Sequence, residues 1–534
     1  MRRRMSNGDG RCEVSWAYGV EVTKVRTARF EKTSLGAAAK AVAIMALAVI
    51  AAGCGGSEDP GSIPERFRKL AQTVDAERAT LGASGVAIAI VENGEVTFSR
   101  GFGTKSAAGA EPVQAATLFR IGSSGKMLTA LGVLKAVESG RLDLDDPVIR
   151  HVPAFHLNRT PNAVAGIRVR HLLTHTSGLA DYGETAAPAN ERTEAALESF
   201  LTGRFADIGY VASPPGAVFA YSNPGFELAG LVAQKATGTP FRTLMRETVF
   251  APLGMNRTYF LAQEVLADGD YAVGAHCTAT DPQCDEPELG PVVRPDSYDN
   301  PWSWPAGFEW SSVLDMARVA RFLMHGDSRV LRDDLRRRML TAQVSTKMLG
   351  DVESYGFGVF LGQGQGVPDP ATGAQRWYPM PVANHDGDIP GFASTFFCLP
   401  EQQFCFIALA NADNAHFGSS LLVALQTLVD LPSPGTLPDV APRPERYPSY
   451  AGKYVDGFEI GEVEITTDGS KLIIKLPTLD ASATPYDREL QPTSVDNFSV
   501  TVAGVPTPLT FIADSTGVYR YIRSRPYLAV RVSP

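Results

Sequence analysis

The chain of 534 residues is predicted to be an α+β protein that ends in a small all-β domain. Three observations predict this fold class: strand-like runs lie near both ends of residues 63–430, helical patterns fill the region between them, and short alternating strands fill residues 448–534. Strands at both ends of a helical region predict a sheet that joins distant parts of the chain. The net charge of −9 argues against a nucleic-acid partner, because such binding requires a basic surface.

Residues 1–54 are predicted to form a signal peptide that ends at a lipidation site. The apolar run 41–53 is shorter than the roughly 20 residues that a membrane-spanning helix needs, but it suits the core of a signal peptide. The small residues before Cys54 resemble a bacterial lipobox, in which the cysteine carries the lipid. We therefore expect an exported lipoprotein of the cell envelope, anchored in the membrane through Cys54, with residues 55–62 as a flexible tether. A cleaved signal peptide with an incidental cysteine is the alternative.

The first elements of the globular part are predicted to be a hairpin and a long helix. Val86–Val91 and Val96–Phe98 flank Asn93-Gly94, which is the pattern of a β-hairpin with a two-residue turn. From Ser123 a helical pattern of apolar residues continues until Gly140.

The middle of the chain, residues 168–325, alternates helical stretches with loops rich in glycine, proline and tryptophan. Two strand-like runs follow, Tyr355–Leu361 and Phe392–Asn411, and the second is long enough to fold back on itself. These runs supply the strands at the far end of the predicted sheet.

Four cysteines of the globular part fall into two closely spaced pairs. Cys277 and Cys284 form the first pair, and Cys398 and Cys405 form the second. Four cysteines allow three connectivities, but short loops favour a disulfide within each pair. Disulfides agree with an exported protein, whereas four unpaired buried thiols would suit a reducing compartment.

A proline-rich linker, residues 431–447, is predicted to separate the α+β part from the last domain. The alternation beyond it predicts a small antiparallel sheet or barrel of lipocalin-like type over residues 448–534. Its expected strands are Tyr450–Tyr454, Gly461–Ile465, Leu472–Leu476, Phe498–Val502 and Tyr519–Ile522.

The stretch Gly122-Ser-Ser-Gly-Lys126 is compatible with two kinds of chemistry. A phosphate-binding loop needs G-x4-G-K-[ST], whereas here two residues separate the glycines and Met127 follows the lysine. As the first turn of a helix, the same stretch brings Ser123 and Lys126 onto one face. The helix N-terminus favours negative charge that develops on the serine, and a desolvated lysine accepts its proton. Ser123 is therefore the candidate nucleophile, and the alternative is an N-cap serine beside a solvated lysine.

Five motifs follow one another along the chain. They are Phe119-Arg-Ile-Gly-Ser-Ser-Gly-Lys126, Gly140-Arg-Leu-Asp-Leu-Asp-Asp-Pro147, His171-Leu-Leu-Thr-His-Thr-Ser-Gly-Leu179, Tyr221-Ser-Asn-Pro-Gly225 and Pro252-Leu-Gly-Met255. Together they resemble the serine β-lactamase superfamily, in the branch of class C β-lactamases, D-alanyl-D-alanine carboxypeptidases and related esterases. The resemblance covers residues 63–430 and implies a two-lobed, β-lactamase-like domain, with an antiparallel sheet flanked by helices and a helical lobe.

The resemblance also implies a tyrosine and an asparagine, two residues apart, that face the serine. Tyr221-Ser-Asn223 and Tyr298-Asp-Asn300 both have this spacing, but only the first precedes an apolar helical pattern, Phe226–Ala236. By resemblance, Tyr221 acts as a general base alongside Lys126, and Asn223 holds Lys126 and the amide of the substrate.

The third motif of the family is Lys-Thr-Gly or His-x-Gly on an edge strand. His385-Asp-Gly387 precedes a strand-like run, whereas His416-Phe-Gly418 precedes a helical pattern and is expected near an N-cap. We therefore expect His385 to form an electropositive wall of the pocket beside Gly387. The backbone N–H groups of Asp388 and Ser123 would form the oxyanion hole.

Two carboxylates accompany this motif. Asp386 and Asp388 are expected to raise the pKa of His385 and to oppose anionic substrates. This expectation favours neutral esters over β-lactams and D-Ala-D-Ala peptides.

These residues describe an exported serine hydrolase that cleaves ester or amide bonds through an acyl-enzyme on Ser123, most readily esters. The alternatives are a D-alanyl-D-alanine carboxypeptidase or β-lactamase-type peptidase that acts on peptidoglycan and, in another class, a catalytically silent cell-wall-binding protein. No cofactor and no metal are expected, because His171 and His175 lack the glutamate of an H-E-x-x-H zinc motif. The expected partners are a small ester, amide or peptide substrate and, through the lipid anchor, the membrane. Hydrolysis versus acyl transfer, and the oligomeric state, are left open.

Overall fold

A computed structural model describes residues 62–181, 193–278, 284, 287–457, 460–524 and 527–533. The predicted signal peptide, Cys54 and most of the predicted tether lie outside these residues. Within the described ranges, no helix is both long enough and apolar enough to cross a membrane.

Helices occupy much of the part between the first and last strands of the α+β region. Three of them matter most below: α2 carries the lysine of the Ser-x-x-Lys motif, α7 begins at the asparagine of the Tyr-x-Asn motif, and α12 packs on the sheet. The helices of this region are α1 (Glu65–Thr80), α2 (Gly125–Glu138), α3 (Val148–His151), α4 (Val169–Leu173), α5 (Ala196–Ser199), α6 (Phe205–Ile208), α7 (Asn223–Thr237), α8 (Phe241–Met245), α9 (Ala251–Leu253), α10 (Ala262–Asp268), α11 (Trp304–Gly307), α12 (Val313–His325), α13 (Asp333–Met339) and α14 (Gly418–Leu428).

The strands of the same region are short except in its two long hairpins. They are β1 (Gly85–Glu92), β2 (Glu95–Gly103), β3 (Phe119–Arg120), β4 (Gly274–Ala275), β5 (Val292–Val293), β6 (Trp310–Ser311), β7 (Val344–Lys347), β8 (Gly350–Tyr355), β9 (Phe360–Gly362), β10 (Gln365–Pro368), β11 (Gln375–Tyr378), β12 (Val382–Asn384), β13 (Gly387–Ile389), β14 (Phe392–Leu399) and β15 (Phe404–Ala410).

Nine of these strands form the central antiparallel sheet. Its order is β2-β1-β15-β14-β12-β9-β8-β7, and β13 pairs with β14 beside this path. Val86 of β1 lies opposite Ala410 of β15. The sheet therefore joins the two ends of the region, as the α+β prediction requires, and that prediction is confirmed.

Helices cover both faces of the sheet. Ile88 and Ile90 of β1 belong to an apolar core shared with α1 and α14, whereas Ala87 and Ala89 belong to a second core shared with α2 and α12. Burial on both faces explains why β1 is apolar along most of its length rather than alternating.

The C-terminal part is a curved antiparallel sheet of eight strands, a half-barrel. Its strand order is β18-β17-β16-β23-β22-β21-β20-β19, and its core is rich in tyrosine and phenylalanine. Its elements are α15 (Tyr447–Tyr450), β16 (Gly452–Asp456), β17 (Gly461–Thr467), β18 (Leu472–Lys475), α16 (Pro477–Ala481), β19 (Gln491–Ser494), β20 (Asn497–Val502), β21 (Val505–Ala513), β22 (Tyr519–Ser524) and β23 (Tyr527–Ser533).

Two local predictions are confirmed and one is wrong. Asn93 and Gly94 both have positive φ (53° and 79°), as a two-residue type I′ turn requires, and Phe392–Asn411 folds back as β14 and β15. The single run Tyr355–Leu361 does not exist, because a turn at Gly358 (φ 74°) separates β8 from β9, which pair with each other.

Disulfides join Cys277 to Cys284 and Cys398 to Cys405. The second disulfide links residues that lie directly opposite each other on β14 and β15. It therefore fixes the register of the hairpin that borders the site.

Candidate active site

Ser123 lies at the start of α2, in a 3₁₀ turn formed by residues 122–124. The turn requires glycine at position 122, because Gly122 has a φ of 52° and an added Cβ would lie 2.8 Å from the backbone nitrogen of Asp388. The next residue, Ser124, donates a hydrogen bond to the His385 carbonyl (2.7 Å). The nucleophile turn and strand β13 are thus packed backbone against backbone.

Lys126 is completely buried one turn along, with its ammonium beside three oxygen atoms. Its Nζ lies 3.1 Å from Ser123 Oγ, 2.7 Å from Asn223 Oδ1 and 2.5 Å from the Ala306 carbonyl. Burial outweighs the attraction of nearby carboxylates and lowers the pKa of Lys126 to about 7. A neutral amine is therefore well populated at neutral pH, as a base requires.

Tyr221 and Asn223 approach the serine from the start of α7. Ser222 caps this helix by accepting a hydrogen bond from the Gly225 N–H (3.1 Å), so Tyr221 lies on the last extended residues before the helix. The ring of Tyr221 stacks on His175 at 4.0 Å, and Asn223 Nδ2 donates to Asp181 (3.1 Å). The structure thus brings Ser123, Lys126, Tyr221 and Asn223 together.

The protonation of Tyr221 differs from the sequence-based expectation of a base. Burial raises its pKa well above the usual value for a phenol, although a hydrogen bond with Ser123 opposes this shift. Tyr221 is therefore a neutral phenol at neutral pH, and it suits proton relay rather than proton abstraction.

His385 borders the site but does not carry the expected charge. It is 1% exposed, its Nδ1–H donates to the Asp386 carbonyl (2.7 Å), and its Nε2 accepts from the Tyr355 hydroxyl (3.1 Å). Burial lowers its pKa to about 3. The predictions of an electropositive wall and of a raised His385 pKa are therefore wrong, because burial and the charge of Lys126 outweigh the hydrogen bond to the Asp386 carbonyl.

The backbone of β13 faces the serine as predicted. A Cβ added to Gly387 would lie 2.8 Å from the backbone nitrogen of Ser123, so glycine is required for this close approach. The backbone nitrogens of Ser123 and Asp388 therefore belong to two segments in close contact, as an oxyanion hole built from them would require.

Asp388 has a partner that the sequence interpretation missed. His416 Nε2 lies 2.9 Å from Asp388 Oδ1, and both side chains are largely buried. Burial lowers the pKa of His416, but the hydrogen bond and charge of Asp388 outweigh it and raise the pKa to about 9. His416 is therefore protonated at neutral pH and offsets the charge of Asp388. The sequence predicts only that His416 lies near the N-cap of a helix, and no local pattern links it to β13.

Glu309 is a second group that the sequence did not indicate. It is completely buried, and neither of its carboxyl oxygens has a hydrogen-bond partner in any other described residue. A Cβ added to Gly125 would lie 2.1 Å from Glu309 Oε2, which places the carboxyl against the first turn of α2. Burial raises its pKa to about 8, so it is a neutral acid at neutral pH.

The alternative candidates of the sequence analysis lie elsewhere. Tyr298 and Asn300 are buried in a tryptophan-rich loop, where the Tyr298 carbonyl accepts from Arg120. His171 Nδ1 accepts from the Arg168 N–H, and His175 Nδ1 accepts from the Ser222 N–H. Each histidine is thus bonded to a different backbone segment.

Comparisons with known proteins identify chains of similar sequence and fold. A profile of the family described as Beta-lactamase matches residues 70–427. Protein flp of Staphylococcus aureus is 24% identical over 395 residues, which cover 72% of this chain and 68% of that protein.

Two solved structures share the fold. The octameric penicillin-binding protein homologue from Pyrococcus abyssi has a TM-score of 0.56 and 22% identity, and covers 87% of this chain and 99% of its own. The D-alanine carboxypeptidase AmpC from Burkholderia cenocepacia has a TM-score of 0.52 and 22% identity, and covers 68% of this chain and 99% of its own. At these identities they establish the fold alone.

Proposed function

This chain belongs to the beta-lactamase family of serine hydrolases. We propose that it hydrolyses ester or amide bonds through an acyl-enzyme on Ser123. The observation that carries the proposal is the buried Lys126, whose Nζ lies 3.1 Å from Ser123 Oγ and whose pKa is lowered to about 7. A base with a pKa near the operating pH is the most effective proton acceptor.

The surroundings of Lys126 suit the neutral amine. Asn223 Oδ1 and the Ala306 carbonyl can only accept hydrogen bonds, so they take the two N–H bonds of the amine. The lone pair then points to the remaining neighbour, the Ser123 hydroxyl, and accepts its proton as the oxygen attacks the carbonyl carbon.

The oxyanion of the tetrahedral intermediate would be stabilised by the backbone N–H groups of Ser123 and Asp388. Close contacts of Gly122 with β13, and of Gly387 with the turn that carries Ser123, support this role. Tyr221, as a neutral phenol bonded to Ser123, would pass a proton to the leaving group. Water then takes the place of the leaving group, and the same proton path returns the serine while the acid departs.

For the substrate, we propose short neutral acyl esters as the preferred class. The carboxylate of Asp388 lies on β13, the strand that would border the acyl group, and it would repel a substrate anion placed there. A second candidate is D-alanyl-D-alanine carboxypeptidase activity, which the Asp388–His416 ion pair favours because it offsets this repulsion.

The test is labelling of Ser123 and a substrate panel. We expect a fluorophosphonate or fluorescent penicillin to label the wild type, Ser123→Ala to lose both labelling and turnover, and Ser139→Ala, at the other end of α2, to retain both. Turnover of Ser123→Ala within about tenfold of wild type would contradict the assignment. An unlabelled, inactive wild type would instead support a silent cell-wall-binding protein. Comparison of p-nitrophenyl esters, nitrocefin and D-Ala-D-Ala peptides then identifies the substrate class.

We also propose that the protein is exported and anchored by lipid on Cys54. The lipobox-like sequence before Cys54 supports this proposal, and so do the two disulfides, which persist in oxidising compartments.

A further inference from the structure

The C-terminal half-barrel contacts the segment that carries Tyr221. Residues 217–222, which we name the Tyr221 loop, lie outside helices and strands. Val218 and Ala220 of this loop form a buried apolar cluster with Ile512, Tyr521 and Leu528 of the half-barrel. A catalytic segment and the accessory sheet therefore share one core.

Arg523 is the polar link in this contact. It is 4% exposed, and its Nη1 donates to the carbonyl of Phe219 (2.9 Å) and to that of Thr346 (2.7 Å). Its guanidinium also lies 5.6 Å from the centre of the Phe219 ring. One buried side chain of the half-barrel thus satisfies two carbonyls of the catalytic domain.

The opposite side of the Tyr221 loop is held by the catalytic domain itself. The Ala220 N–H donates to the His175 carbonyl (2.8 Å), and the Ser222 N–H donates to His175 Nδ1 (3.0 Å). Because the loop has no strand or helix bonds of its own, Arg523 and His175 fix its backbone from two sides.

Aromatic packing connects the Tyr221 loop to Tyr355 and His385, which border the site. The Phe219 ring packs at 5.7 Å from His175, which stacks on Tyr221, and at 5.5 Å from Tyr355, which donates to His385. Displacement of Phe219 would therefore alter the packing around both Tyr221 and His385.

We infer that Arg523 is a positioning residue for catalysis, and that the C-terminal half-barrel thereby completes the active site. The inference rests on the proposed hydrolase function. The hydrogen bond from Arg523 to the Phe219 carbonyl fixes the position of the Tyr221 loop. The loop in turn places Tyr221 and Asn223 against Ser123 and Lys126.

The test compares Arg523→Met with Arg531→Met in the full chain. Arg531 is a matched control, because it lies on β23 of the same sheet and donates to the Ser449, Tyr519 and Ala451 carbonyls, all within the C-terminal region. For p-nitrophenyl acetate we expect Arg523→Met to lower kcat/KM on the order of tenfold to a hundredfold, mainly through kcat, as for displaced catalytic groups. Arg531→Met should stay within about twofold of wild type.

Two further readouts separate positioning from stability. A loosened loop admits water to Lys126, so the acidic limb of the pH profile should move to higher pH in Arg523→Met only. Hydrogen exchange of the Ala220 and Ser222 amides should accelerate in this variant and stay unchanged in Arg531→Met. If Arg523→Met does not fold, Arg523→Lys replaces it. Lys keeps the charge, but its side chain is about one bond shorter than that of Arg and brings its nitrogen less close to the two carbonyls, so we expect an intermediate loss.

The outcomes are distinct. A folded Arg523→Met with wild-type kcat/KM and pH profile overturns the inference while the proposed function stands. Equal losses in the two methionine variants also overturn it, because the effect would then be general destabilisation. A wild type that neither reacts with the probes nor turns over the ester rejects the proposed function, and the inference with it.

Discussion

Lys126 is the residue on which the proposed chemistry depends, and it gives the first prediction. Because only the neutral amine accepts a proton and burial lowers its pKa to about 7, kcat/KM should rise with pH and reach half its maximum near that value. At pH 6 the rate should be about one tenth of the plateau. The measurement is kcat/KM for a neutral ester between pH 5.5 and 8.

Among the neighbouring groups, Glu309 titrates only near the upper end of this pH range, with a pKa of about 8, so the rise in kcat/KM below pH 7 reports on Lys126. His385 does not change charge in this range, because its pKa is lowered to about 3. Lys126→Ala should lose on the order of 10²–10⁴ in rate, whereas Lys135→Ala, further along the same helix, should behave as wild type. A wild-type profile that is flat from pH 6 to 8 would show that Lys126 is not the base.

Glu309 gives a prediction about stability rather than rate. Its pKa in the folded state is raised from 4.5 to about 8, so the unfolded state binds fewer protons between these values. The stabilising effect of the neutral acid is present below pH 4.5 and is lost as the pH rises through 8. The free energy of unfolding should therefore fall over this window by on the order of a few kcal/mol.

Glu309→Gln removes the titration while it keeps the shape of the side chain. Its free energy of unfolding, measured by urea denaturation, should fall less between pH 5 and 8 than that of the wild type. Glu247→Gln, at an exposed position, is the control and should follow the wild type. Equal slopes in all three proteins would mean that Glu309 is already ionised in the folded state.

At this scale the sequence predicted which side chains come together better than it predicted their environment. Ser123, Lys126, Tyr221 and Asn223 were found because their motifs are local and meet in the structure. The protonation of Tyr221 depends on burial by residues far away in the chain, which a local pattern does not contain.

Among the elements, strand β13 gives a prediction on selectivity. His416, protonated up to pH about 9, offsets the charge of Asp388 beside the oxyanion hole. His416→Gln should expose that charge and raise the ratio of kcat/KM for neutral esters to that for anionic substrates at pH 7. At an effective dielectric of about 20, a like charge roughly 5 Å away costs about 3 kcal/mol, so the change in this ratio has an upper bound somewhat above about a hundredfold.

The double variant is the control for this prediction. Asp388→Asn combined with His416→Gln should return the ratio toward that of the wild type, because neither charge is then present. If His416→Gln leaves the ratio of kcat/KM for neutral to anionic substrates unchanged, Asp388 does not face the substrate. The carboxypeptidase candidate would then become the better proposal.

Comparison of the predicted with the observed elements shows why one hairpin was predicted and one strand was missed. The hairpin at Asn93-Gly94 was predicted because its turn chemistry is local. Strand β21 was missed because Pro506 and Pro508 argue against a strand, yet these prolines pair with β20 only, before β22 joins at Thr510. Prolines are tolerated on such an edge because no N–H is needed there.

For the whole molecule, the α+β arrangement and the separate C-terminal sheet followed from the order of strand-like and helical segments. The contact between these two parts could not be predicted in this way. Arg523 and the Phe219 carbonyl are about three hundred residues apart in the sequence, and only the tertiary structure brings them together. The half-barrel is therefore better regarded as part of the enzyme than as an independent module.

The N-terminal segment gives the prediction that concerns the molecule in its cell. Cys54 precedes α1, which begins at Glu65, so it lies outside the part of the sequence that carries the proposed catalytic residues. Cys54→Ser should move the protein from the membrane to the soluble fraction, since lipid chains supply the membrane affinity, and kcat/KM should not change. Cys12→Ser, in the segment expected to be removed, is the matched control and should stay with the membrane. Mass spectrometry of the wild type should find Cys54 lipidated at the mature N-terminus. If Cys54→Ser still sediments with the membrane, the apolar run 41–53 is retained as an anchor or another surface binds the bilayer, and the lipoprotein proposal is wrong.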